Sequence, residues 1–154
     1  AGPEVKSDVR VGVVASPGHA GVDFRAAFAR LGVGNETFFQ TLVPDALQLP
    51  FAAKLLAMSN TVDVIVAADG SDGQAELRRA YQQIALSTNV PVVPMGSPAQ
   101  LPGAADVAVK MGAMRREALQ PAVAGAASAA GGNFFGIGSR GKGKAPQKQA
   151  GTGA

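Results

Sequence analysis

The chain has 154 residues, 47% of them hydrophobic and 16% charged, which is enough apolar material for one domain with a core of its own. It has no cysteine and a single histidine. That excludes a disulfide framework, a thiolate nucleophile, a cysteine-ligated metal and a multi-histidine metal centre, so neither metal nor cofactor is expected. The net charge of +3 resides in the C-terminal tract, where Arg140, Lys142, Lys144 and Lys148 occur and no acidic residue follows Glu117. The remainder is close to neutral, so no specific nucleic-acid surface is expected. No apolar run approaches the roughly 18 residues of a membrane span, which leaves peripheral contact with a membrane complex open. The start at Ala1 instead of Met fits removal of a targeting segment. An organellar protein is expected, plastid before mitochondrion.

Residues 1–8 read as an N-terminal arm. Val9–Ala15 alternates and then becomes wholly apolar, as a first strand of a parallel sheet does. Ser16–Gly21 is a loop, and Val22, Phe24, Ala27, Phe28 and Leu31 mark one face of a helix that Gly32 and Gly34 end. Glu36–Val43 is rich in strand formers and stops at Pro44–Asp45. Pro50–Met58 predicts a second helix, with Pro50 tolerated in the first turn and Ser59–Asn60 closing it.

Thr61–Asp69 is a β-branched run that meets Gly70-Ser-Asp-Gly73, a strand followed by a loop of functional type. Leu77, Tyr81, Ile84 and Leu86 then predict a partly amphipathic helix over Gln74–Thr88 that Asn89 closes. Val90–Val93 forms a fourth strand and Pro94–Gly103 a loop. A last helix is expected from near Asp106 to Ala127, kinked or broken at Pro121 and Gly125.

Alternation of strand and helix predicts a three-layer α/β fold of flavodoxin type, with a four-stranded parallel sheet and helices on both faces, over residues 9–130. Residues 131–154 form a Gly- and Lys-rich extension too poor in apolar residues to order alone. Within it, Phe134 and Phe135 would offer an apolar contact, and Arg140, Lys142 and Lys144 a basic one, to a partner.

Val11-Gly-Val-Val-Ala-Ser16, Val43-Pro44 with Leu49–Leu56, Asp63–Val66 and Thr88–Val93 together resemble lumazine synthase, the penultimate enzyme of riboflavin synthesis. The likeness spans roughly Val9 to Ala124, and Pro44–Leu56 carries most of it. The resemblance implies a homo-oligomer or a descendant of one, since the family works as a pentamer with the pocket between subunits. It also implies a vestigial pocket at Ser16, His19, Pro44, Asp45, Gln48, Gly70, Ser71 and Gly73.

Residue by residue, the chemistry of the family is missing. Pro17-Gly18-His19 follows Ser16 where the family has Arg, an aromatic residue that stacks on the pyrimidine, and Asn. Gln48 stands where the family has Glu, and Asp45 where it has Gly. Asp69–Glu76 contains neither the Arg nor the catalytic His of the family's phosphate loop, and its acids would repel a phosphate. Met114 occupies the place of the phosphate-binding Lys, with Arg115 or Lys110 as the nearby substitutes.

His19 could serve as acid or base near neutral pH, but an isolated loop histidine is more often solvated, and that is the expectation. Asp69 lacks the acidic pair of a phosphoryl acceptor, and Gly70–Gly73 lacks the lysine of a P-loop. No residue is therefore assigned a catalytic role. The chain is expected to be a non-catalytic structural or accessory subunit of a larger protein assembly. The alternatives are an active lumazine synthase and a module that still binds a flavin or pyrimidine.

Overall fold

The computed structural model describes residues 6–70 and 75–119. Its elements run β1 (Val11–Ala15), α1 (Phe24–Ala29), β2 (Phe38–Leu42), α2 (Leu49–Met58), β3 (Val64–Ala68), α3 (Ala75–Thr88), β4 (Val92–Met95) and α4 (Leu101–Leu119). The strands form a single parallel sheet in the order β2-β1-β3-β4, with Val11 opposite both Phe38 and Val64, and Ile65 opposite Val92. β1 and β3 are central and buried at every position, which accounts for their continuous β-branched and small apolar runs.

Two cores sandwich this sheet. Val11, Val13, Ala15, Val64, Val66 and Ala68 point to one face and pack with Phe24 and Phe28 of α1 and Ala104, Ala105 and Ala108 of α4. Val14, Ile65 and Ala67 point to the other and pack with Leu49, Ala53 and Ala57 of α2 and Leu77, Tyr81 and Ile84 of α3. Helices therefore cover both faces, in a three-layer flavodoxin-like arrangement. α2 approaches the sheet where Gly12 has no side chain; a Cβ there would collide with Leu56 of α2. The compact unit that holds the sheet ends at Arg116, and of the unit that begins at Glu117 only the last turn of α4 is described.

Several boundaries differ from expectation for local reasons. β4 continues through Pro94 to Met95, because it is an edge strand where a missing N–H costs no ladder bond on its open side. α4 begins at Leu101 and not near Asp106: a 3-10 turn over Pro98–Gln100 leads into it, and Pro102 falls in the first turn, where its N–H is not needed. α1 is shorter than Val22–Leu31, because the Asp23 carboxylate accepts from the Ala26 N–H at 3.0 Å and fixes its start. Leu86 does not join the apolar face of α3; Leu77, Tyr81 and Ile84 complete that stripe and Leu86 points outward. Asn60 and Asn89 close α2 and α3 with φ of 62° and 61°, the left-handed conformation that asparagine tolerates at a helix end. The expected break near Pro121 lies outside the described residues.

Candidate functional site

In an open α/β sheet, ligands bind beyond the carboxyl ends of the strands, where successive connections leave in opposite directions. Here that point lies between β1 and β3, and its lip is Ser16 after β1 and Asp69-Gly70 after β3. The chain turns out of β1 through a 3-10 turn at Pro17–His19, which folds His19 back over the strand ends. His19 is only 2% exposed and Ser16 4%, so the expectation of a solvated loop histidine is corrected. The ring packs near Phe24, with 6.3 Å between ring centroids.

Both ring nitrogens of His19 are committed. Nε2 lies 2.8 Å from the Gly96 carbonyl oxygen, which can only accept, so Nε2 carries a proton. In the neutral ring Nδ1 then accepts from the Ser16 hydroxyl at 3.1 Å. Gly70 closes the other side with φ of 75°; a Cβ there would stand 3.2 Å from His19 Cε1 and 3.4 Å from Ser16 Oγ. A serine hydrogen-bonded to a histidine is the first ingredient of a nucleophile and base pair. Here Ser16 Oγ is buried, and the group ties the end of β1 to the chain leaving β4.

The remaining predicted pocket residues sit apart from this group. Asp45 is exposed and caps a 3-10 turn, its carboxylate accepting from the Leu47 N–H at 3.3 Å; Pro44 and Gln48 are exposed as well. Asp69 is buried, with the Tyr81 hydroxyl donating to it at 3.5 Å. Burial first, and then the charge of Asp69, hold the Tyr81 phenol above its ordinary value. Ser71 and Gly73, like Phe134, Phe135, Arg140, Lys142 and Lys144, lie outside the described residues.

Sequence reasoning missed the cluster at the opposite, amino ends of the strands. Asp63, 1% exposed, accepts from the Arg10 guanidinium in a fork, at 2.9 Å from Nη2 and 3.2 Å from Nε, and from the Arg10 backbone N–H at 2.9 Å. Arg115 and Arg116 of α4 add further donors at 2.9 and 3.2 Å. The same arginines reach the ends of neighbouring helices: Arg10 donates to the Asn60 carbonyl at 3.0 Å, and Arg115 to that of Asn89. Burial works to raise the Asp63 pKa, but the hydrogen bonds from Arg10 and Arg116 and the Arg10 charge outweigh it and hold the carboxyl below its usual range.

Asp63 in turn keeps the Arg10 guanidinium above its ordinary value, mainly through that hydrogen bond. Of the two nearby substitutes for the missing lysine, Arg115 is thus spent at the far end of the sheet, and Lys110 pairs with Asp106 on the surface of α4. The signal was an acid directly before one buried strand and an arginine directly before its neighbour.

Two surface hollows are lined by described residues. One, of 490 Å³, lies between α1 and the start of α4 and is lined by Ala26, Ala27, Leu31, Leu101 and Pro102 with Asp23 and Arg30 at its edge. The other, of 320 Å³, lies beside Arg10 and Arg116 and mixes Lys6 with Asp8 and Glu36. Neither includes Ser16 or His19. No described helix is long and apolar enough to cross a membrane. No family model matches the chain, and no curated protein matches it.

Proposed function

We propose that the chain is a non-catalytic, lumazine-synthase-like structural or accessory subunit of a larger assembly. It docks on other protein subunits through residues 131–154, in an organelle, with the plastid favoured over the mitochondrion. One observation carries this reading: Ser16 and His19 at the strand tips satisfy each other and the Gly96 carbonyl in a buried group. A proton-transfer catalyst needs a nitrogen or oxygen within reach of the substrate, and none of these atoms has one to spare. The resemblance in the strands and in Pro44–Leu56 supports an inherited frame, while the substitutions at each working position support loss of the reaction.

Mixing the purified chain with the ribitylamino-pyrimidinedione and the dihydroxybutanone phosphate, and following lumazine absorbance, tests the reading. No formation above the substrates alone is expected. Formation in proportion to protein would instead establish an active lumazine synthase.

A further inference from the structure

α2 is apolar on both sides. Leu49, Ala53 and Ala57 are buried against the sheet and α3. On the opposite side Phe51, Leu55 and Met58 recur at helical spacing, preceded by Leu47, and these four side chains are 69%, 64%, 54% and 65% exposed for Leu47, Phe51, Leu55 and Met58. Lys54 is the one charged residue of the helix. A helix apolar all round is characteristic of one covered on all sides.

The patch extends onto the sheet. Phe39, 39% exposed, pairs in register with Gly12, the residue on which Leu56 of α2 rests, so Phe39 stands beside α2 on the uncovered edge strand β2. With about 200 Å² of surface for a large apolar side chain, these five residues leave roughly 600 Å² of apolar area in water. That is at the upper limit for a lone monomer, about 600 Å². It is also most of the ~800 Å² that each partner contributes to a standard interface.

We infer that this face is the contact surface of a symmetric dimer, in which α2 of one copy packs against α2 of a second across a two-fold axis. A two-fold contact must be self-complementary. Lys54 is the one charge on α2, so the helix offers little for an oppositely charged partner to read, and its exposed side is apolar enough to pack against its own copy. Its ridge of residues four and three apart can interdigitate with its own copy. The inference rests on α2 and β2 alone and holds whether or not the chain is catalytic. It also differs from a ring assembly, because a two-fold contact closes at two copies.

Sedimentation equilibrium of the full chain at micromolar concentration is expected to give a dimer. L55E should weaken the dimer by about 30-fold or more, as loss of a central apolar anchor does, with an unchanged far-UV circular dichroism spectrum. The chain has no cysteine, so L55C places a single thiol on the face, and a short bis-maleimide should join two copies. L86C, on the outer side of α3, should stay single. A monomer, a pentamer, a dimer untouched by L55E, or cross-linking of L86C as fast as L55C would each overturn the inference. Should L55E fail to fold, the two cysteine variants decide.

Discussion

The two ends of the sheet are tied by different physics. At the amino ends one buried carboxylate gathers three guanidinium groups and, through them, the last turns of α2 and α3. At the carboxyl ends an imidazole and a hydroxyl bridge β1 to the chain leaving β4, with a glycine fitted against them. A buried charge costs much to leave unpaired, whereas a neutral hydrogen bond costs about one or two kcal/mol when lost. The charged end is therefore the costlier one to break. At the carboxyl ends, where ligands ordinarily sit in such sheets, Ser16 and His19 are buried and hydrogen-bonded.

Substitutions at each end should separate them. D63A leaves three arginines facing a void and is expected to destabilise by about 3 kcal/mol or more, measured by urea unfolding. The same carboxylate predicts an acid dependence. Its folded pKa is lowered, so its contribution is complete above the unfolded carboxylate value of about 4 and is lost as pH falls through the lower folded value. D63N should flatten the stability profile in that acid window and leave it unchanged from neutral pH upward. H19A removes a buried ring and orphans the Gly96 carbonyl, for an expected loss of about 2–3 kcal/mol by the same measurement. S16A deletes a single neutral hydrogen bond and should cost about 1 kcal/mol. A larger loss for S16A than for D63A would reverse the ranking.

The frame was legible because the central strands are buried on both faces and their composition says so without ambiguity; Val11–Ala15 and Val64–Ala68 tolerate no polar residue. Helix ends were legible where a special backbone conformation selects the residue, as at Asn60 and Asn89. The start of α4 was not, since Pro98, Pro102 and Gly103 carry turn chemistry while Pro102 is also compatible with a first helical turn.

Burial of His19 was invisible for another reason: its partner at Gly96 is remote in sequence, and nothing local shows that a Pro-Gly loop folds inward. Asp63 was hidden in the same way, its donors coming from the start of the domain and from α4. The exposed stripe of α2 was not legible either, since apolar residues at helical spacing look alike whether they face the sheet or the solvent.

The claim beneath all of this is that the histidine at the strand tips is a structural tie out of reach of any substrate. It is the single histidine of the chain, so reaction with diethylpyrocarbonate, followed at the carbethoxyimidazole absorbance, reports on His19 alone. The native protein is expected to react at least about 100-fold more slowly than free imidazole, at a rate set by opening of the fold, and to react fully once unfolded in urea. Modification as fast as that of free imidazole, with the circular dichroism of the native state retained, would place His19 in an open site and contradict the account.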